Sequence, residues 1–588
     1  MALVLGRRRE YAPPILGRRG WGALAALGGY FGMAFGLFAS TWQSPLERIV
    51  GSSGDPVVYV WFLRWFAFSL THRLNPFITD YVNHPQGYNV MWNTPMPLAG
   101  WLMTPVTLSA GPVLSYNLVM TAALALTAWS AFLLLRHLGL RAWPAVAGGA
   151  LYGFSPFMTT QAVGHWHLVM AWTPPLVVYL VEELVVRRRR SPLRTGALLG
   201  LTATAQLLLG EELLATEALT GAVGLAILAA LHRDLVLPRL SNLACGLAVA
   251  LGVAVPLSAI PLAYQFLGPN HLVGVIQPRN VYVTDLLNLV VPTDLQMVAP
   301  EWLAAISRHF TGNGSEWNGY LGVPLLAICG YCAWTMRRVP VVRFFTLLGA
   351  AMALLSLGPH LHVAGHDVRV PLPYLVVDHM PLLGNLLPNR LAMYVDLCAA
   401  VLLAFFVERV TLAGAVPRRV VAGVAVALVV LTLLPRLPFE TTPAATPELF
   451  GAKMAARRFR QGEVVLVAPF SSTPAATQPL LWQAQAGMRF KEPEGYLFTA
   501  GEGGHARLGP ARFALSDRLL AIFDGVAGGD PTAAEVATYR RDLADHRVEA
   551  VVVGPMPHAD QAEALFAKVL DRPPETVGGV YLWPAAGD

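Results

Sequence analysis

The sequence predicts an α-helical polytopic membrane protein of about eleven spans that ends in a soluble α/β domain. Three observations predict it. Of 588 residues, 55% are hydrophobic and only 13% charged, against about 25% charged in soluble domains. The basic residues fall in short arginine clusters between apolar runs. Beyond about residue 436 the runs shorten to strand length, and the chain's lysines appear there, at Lys453, Lys491 and Lys568.

Apolar stretches of span length lie at 22–41, 114–135, 143–160, 166–186, 193–209, 213–231, 240–264, 319–336, 342–358, 390–410 and 418–435. The stretch 96–110 is apolar but short and proline-bearing, which reads as re-entrant or interfacial. Cytoplasmic loops carry Lys/Arg. With the N-terminus inside, the inner loops and their edges hold Arg136 and Arg141, Arg187 to Arg190, Arg233 and Arg239, Arg337 and Arg338, and Arg409 with Arg418 and Arg419. The alternation holds at each. An odd number of spans then places the C-terminal segment outside. The basic start of the chain serves as a signal anchor or simply leads the first span.

Two divisions follow: a multi-span part over 1–435, with a first external loop at 42–113, and an extracytoplasmic domain over 436–588. In the latter, "GEVVLVAPF" and "VEAVVVGP" read as buried strands and "AAEVATYRRDLADHR" as an amphipathic helix. No glycine-rich phosphate loop follows a strand there. The net charge of +6 does not indicate a nucleic-acid partner, since its arginines are those of inner loops. The cysteines Cys245, Cys329, Cys332 and Cys398 lie in apolar runs and suggest no disulfide framework.

The polar residues of interest gather on the outer side. "GSSGDPVVYVWFLRW" leaves the first span through Gly54, Asp55 and Pro56. Asp55 reads as a helix cap with Pro56 in the first helical position. Trp61, Trp65 and Phe68 share a face at helical spacing, which suits an interfacial helix in the headgroup layer. The same loop adds Arg64, Asp80, His84 and Trp92. Farther along, the outer side holds His165 and His167 in "GHWH", Glu211 and Glu212 in "GEE", and Arg390 in "LPNR".

These segments resemble bacterial integral-membrane glycosyltransferases of the GT-C fold. The resemblance covers most of the chain. It rests on "GDP" after the first span, "NHPQGYNVMWNTPMPL" in the first loop, "LYGFSPFMTTQAVGHWHLVMAW", "WNGYLGVPLLAI", "LLPNRLAMYVDL" and a final domain with "VVLVAPF". It implies transfer of a sugar from a polyprenyl-phosphate carrier to a glycan, lipid or protein acceptor on the outer face of the cytoplasmic membrane. An acid of the first external loop would be general base. Asp55 occupies that place, but a proline follows it where the family pattern has a second acid, so Asp80, Glu211 and Glu212 stand as rival bases. An acceptor hydroxyl needs such a base, and a single base implies inversion.

The leaving lipid phosphate needs a cation, best a bidentate arginine. Arg390 is favoured and Arg64 is a further candidate; His84, His165, His167 and Trp92 complete the expected substrate-binding set. Some GT-C families use a divalent cation and others none, so the cofactor stays open. The loop histidines fit no strict zinc spacing, and no residue is assigned as a metal ligand. The alternatives are a lipid or glycan transporter or flippase, whose polar features should sit mid-membrane, and a catalytically inactive GT-C-like scaffold.

Overall fold

A computed structural model describes residues 18–52, 54–380, 382–412 and 416–585. Most of the basic N-terminal stretch, 1–17, and part of the expected inner loop at 411–417 lie outside them. The principal helices are α1 (Arg18–Leu37), α2 (Asp55–Thr71), α3 (Pro97–Ala110), α4 (Pro112–His137), α5 (Ala142–Gly153), α6 (Thr173–Glu182), α7 (Pro192–Leu207), α8 (Glu211–Leu231), α9 (Leu240–Leu267), α10 (Gly322–Thr335), α11 (Pro340–Ser356), α12 (Ala392–Leu412) and α13 (Val416–Leu433). Every stretch read as a span is therefore helical.

Among the described residues, five segments are long and apolar enough to cross a membrane: Pro112–His137, Trp166–Arg187, Glu211–Leu231, Arg233–Leu267 and Pro388–Leu412. Two expected spans are broken. The stretch 143–160 splits at Ser155, whose hydroxyl accepts the Met158 N–H and starts a new helix at Pro156. The stretch 166–186 is interrupted before Thr173, where Pro174 and Pro175 supply no N–H to an earlier turn.

The chain divides into two compact units. The first comprises residues up to Ser40, Met120–Ser258 and Gln277–Glu440; the second comprises Thr41–Val119, Ala259–Ile276 and the chain from Thr441 onward. In the first unit, small residues let helices approach closely. A Cβ on Gly148 would lie 2.8 Å from the Ala400 carbonyl, and one on Gly200 2.5 Å from that of Ala250. This is the small-residue packing of membrane helices.

The second unit carries the α/β module. Its sheet is built from β1 (Glu463–Ala468), β2 (Phe490–Lys491), β3 (Ala550–Val553), β4 (Glu575–Val577) and β5 (Val580–Trp583), in the order β4-β5-β3-β1-β2. β1 runs parallel to β3 and β2, while β5 is antiparallel to β3 and β4. The two valine-rich runs pair as expected of buried strands, Ala550 opposite Val465 and Val553 opposite Ala468. Leu515, Leu519, Leu565 and Phe566 pack on the sheet.

The first external loop is part of this second unit. Strand Arg48–Val50 pairs antiparallel with Thr441–Pro443. The aromatic face of α2 is not presented to headgroups: Trp61, Trp65 and Phe68 are all buried. Trp61 stacks on Trp65 at 5.8 Å and donates its indole N–H to Gln483. A buried indole needs such a partner, and the helix Gln478–Gln485 provides it. Gly54, at φ 97°, takes the cap position instead of Asp55, which becomes the first residue of α2.

Candidate functional site

In the first unit, four distant segments meet in one network around the Arg390 guanidinium. Arg390 sits in a 3-10 turn, Pro388–Leu391, that opens the span Pro388–Leu412. Its Nη2 donates to Glu316 Oε1 at 2.8 Å, and its Nη1 bonds the carboxylate of Glu212 in the first turn of α8. Glu316 ends the short turn Gly314–Glu316. Its other oxygen accepts from Asn389 at 2.7 Å and from Gln161 at 3.3 Å. Gln161 in turn bonds His165 Nδ1 at 2.7 Å, and that nitrogen lies 3.8 Å from Glu316. The buried His167 ring lies 6.1 Å from that of His165.

The chain directions explain the convergence. His165 immediately precedes the span Trp166–Arg187, Glu212 lies at the start of Glu211–Leu231, and Arg390 at the start of Pro388–Leu412. Three apolar segments thus begin at one cluster. The side chain of Glu316 is 3% exposed, that of Arg390 12% and that of Glu212 20%. Burial alone would raise the Glu316 carboxyl, but Arg390 and His165 outweigh it and hold it down at about 2. The cluster therefore buries an ionised carboxylate, with Glu212 as its more open acid. Two carboxylates, Glu212 and Glu316, share the one guanidinium. The cluster can exchange a proton at a carboxylate and offer a fork to an anion that displaces Glu212.

Glu211, the first residue of α8, also belongs to the first unit, and the other expected residues lie in the second. Asp55 is partly exposed at the N-terminal end of α2, where the helix dipole favours its charge. A Cβ on the preceding Gly54 would lie 3.3 Å from Pro474, in the loop after β1. Asp80 pairs with Lys491 at 2.5 Å and lies 3.5 Å from His84. Burial, then Lys491, hold the His84 imidazole below its ordinary value. Arg64 donates to the Ala484 carbonyl at 3.0 Å, and Trp92 donates to the Gln265 carbonyl at 2.7 Å. Both of these side chains have structural partners.

Sequence reasoning missed Glu316, Asn389 and Gln161. Each borders a quoted motif: Glu316 precedes "WNGY", Asn389 is in "LPNR" and Gln161 opens "QAVGHWH". It also missed two acids within spans, Glu217 and Asp396, buried at 4% and 3% exposure. In the first unit, Asp294 and Glu301 bind Arg308, and Asp285 accepts the Ala364 and Gly365 N–H groups. Among the described residues, the three-member group with metal-ligand spacing is His137, Glu182 and Glu183. There Glu182 is already held by Arg187 at 3.0 Å.

Residues 31–383, more than half of the chain, match the family described as Domain of unknown function (DUF6311). The chain belongs to this family. No curated protein matches it. Among solved structures, this DUF6311 chain is similar to the archaeal oligosaccharyltransferase AglB from Archaeoglobus fulgidus, in complex with an inhibitory peptide and a dolichol-phosphate. That match has 12% identity and a TM-score of 0.42, and covers 97% of this chain and 75% of that one. ArnT from Cupriavidus metallidurans, bound to undecaprenyl phosphate, matches at 12% identity and TM-score 0.45, over 96% and 98% of the two chains. The arabinofuranosyltransferase AftD from Mycobacteria matches at 14% and 0.48, over 98% of this chain and 42% of that one. Likeness at this distance assigns neither activity nor substrate.

Proposed function

We propose that the protein is a membrane glycosyltransferase that moves a sugar from a polyprenyl-phosphate donor to a glycan, lipid or protein acceptor outside the cytoplasmic membrane, with inversion. The observation that carries this reading is the convergence of "QAVGHWH", "GEE", "EWNGY" and "LPNR" on one buried charge cluster where three apolar spans begin. "QAVGHWH", "WNGY" and "LPNR" belong to segments through which the sequence resembles GT-C enzymes, "GEE" holds the rival bases, and the polar members of the cluster are of the types such a transfer uses.

In the reaction, a carboxylate takes the acceptor hydroxyl's proton as the oxygen attacks the anomeric carbon. The carbon–phosphate oxygen bond breaks, and its electron pair leaves with the polyprenyl phosphate. Arg390 receives that phosphate on Nη1 in place of Glu212. Two acids compete as the base: Glu212, which that exchange would free, and Asp55, the residue the resemblance favours. The test is transfer of labelled sugar from a panel of polyprenyl-phosphate donors by the full chain in lipid. Transfer or donor hydrolysis by wild type, lost in a folded Glu212→Gln or Asp55→Asn, supports the reading and names the base. Equal activity in wild type and both variants removes both acids from that role.

One observation favours a second reading, a lipid or glycan transporter. Glu217 and Asp396 lie inside spans, and Glu217 borders an apolar cavity of about 120 Å³. Intramembrane acids mark transport paths as well as structural bonds. Glu217, however, accepts a 2.5 Å bond from Thr173, so it has a structural partner. Flux of a fluorescent lipid-linked sugar across proteoliposomes, lost in Glu217→Gln, would favour transport.

A further inference from the structure

Two glutamates of the second unit are buried without counter-charge. In the segment "KEPEG" at 491–495, which follows directly on β2, Lys491 reaches Asp80, whereas Glu492 and Glu494 are both 0% exposed. Neither oxygen of Glu492 has a hydrogen-bond partner; of Glu494, one accepts the Val467 N–H at 3.2 Å and the other has none.

The backbone of this segment fastens the first external loop. Asn83 N–H donates to the Glu494 carbonyl at 2.7 Å, and His84 N–H to the Glu492 carbonyl at 2.9 Å. Glu492 N–H returns a bond to Tyr81 O at 2.9 Å, and the Tyr88 hydroxyl donates to Gly495 O at 2.8 Å. The loop so held is the one carrying Asp80 and His84.

We propose that Glu492 and Glu494 form a proton-holding latch that fastens the loop segment 79–88 to the α/β module and releases it when the pair ionises.

The groups around the pair leave it no other neutralising partner. From the loop come Asp80, Tyr81, His84 and Tyr88; Asp80 is taken by Lys491, and burial and Lys491 hold the imidazole below its ordinary value. From the segment itself comes Lys491. From the helix Gln478–Gln485 comes Gln483, whose amide donates to Tyr81 O and Phe490 O. From β1 come the Val467 N–H and Glu463, whose carboxylate lies 3.7 Å from Arg460. Among the described residues, no lysine, arginine or histidine pairs with Glu492 or Glu494.

Burial pushes both carboxyls well above the ordinary glutamic value, and for Glu494 the neighbouring Glu492 adds to it. A raised value in the folded state gives a definite sign. The latch is at full strength below the unfolded value of 4.5 and loses stability as pH rises through the raised ones. Ionisation leaves negative charge in a dry pocket, where it is costly.

The test is amide hydrogen exchange on the full chain in nanodiscs, from about pH 6 to about pH 9, corrected for intrinsic exchange. The amides of Asn83, His84 and Glu492 should lose at least about tenfold protection in wild type, the change expected for one linked proton over one pH unit. They should lose none in Glu492→Gln/Glu494→Gln, while β1 and β3 stay protected in both. If the double variant fails to fold, Glu492→Gln alone serves, since neither of its oxygens is engaged, and it should blunt the loss. Equal loss in variant and wild type, or none in wild type, overturns the proposal. So does restoration of protection at pH 9 by added Mg²⁺ or Ca²⁺, which would make the pair a cation site.

Discussion

The Arg390 cluster and the Glu492–Glu494 pair bury carboxylates by opposite means. In the first, Glu316 lies against a guanidinium, two side-chain amides and an imidazole, and its charge is held. In the second, the carboxyls meet one backbone N–H and each other, and their charge is suppressed. Burial is the same for both; what differs is whether a cation is supplied. The difference teaches that a buried acid's role cannot be read from its burial. A charge kept ionised is available to bind or exchange, whereas one kept protonated responds to pH.

The largest effect should come from breaking the first arrangement. Arg390→Ala strands Glu316 without its cation, and removing one partner of a buried pair costs roughly 3–5 kcal/mol. The thermal midpoint in detergent should fall steeply, with Arg390→Lys between variant and wild type because a lysine cannot make the fork.

Next is a contrast of sign. At pH 8, Glu316→Gln should destabilise, because it removes a charge-assisted bond worth about 1.5–3 kcal/mol. Glu492→Gln at the same pH should leave stability unchanged or raise it, since it removes a suppressed ionisation. Thermal midpoints of the two variants at one pH check this directly.

A smaller effect separates the two by acidity. Glu316 is depressed to about 2, so its stabilising share is present above the ordinary value of 4.5 and is lost as pH falls from there toward 2. Acid titration of wild type should show that loss, and Glu316→Gln should remove that share of it. The smallest effect is the solvent control. Arg308 joins Asp294 and Glu301 at the surface, where ion pairs are screened. Arg308→Ala should leave the midpoint unmoved.

Legibility followed the same physics. Helix positions were readable because twenty-residue apolar runs have few alternatives, and the valine runs of β1 and β3 because buried parallel strands are continuous hydrophobic stretches. The breaks at Ser155 and before Thr173 were marked by nearby prolines, yet hydropathy averages over them. His165, Glu212 and Arg390 were found because charges at span edges stand out. Glu316 was not, since a lone acid in a long loop carries no signal until Arg390 is beside it. The face of Trp61, Trp65 and Phe68 was legible as a face, but the sequence does not say that Gln483, more than four hundred positions on, covers it. Glu492 and Glu494 belong to no motif, and only their burial singles them out.

The most direct test of the central claim is binding of a polyprenyl phosphate to wild type and to Arg390→Gln/Glu316→Gln, a double variant that removes one charge of each sign. Native mass spectrometry of delipidated, refilled protein would give both affinities. The account predicts that the carrier binds wild type and is lost at least about tenfold in the folded double variant, the scale of one charge-assisted contact. Equal binding by the two proteins would contradict it.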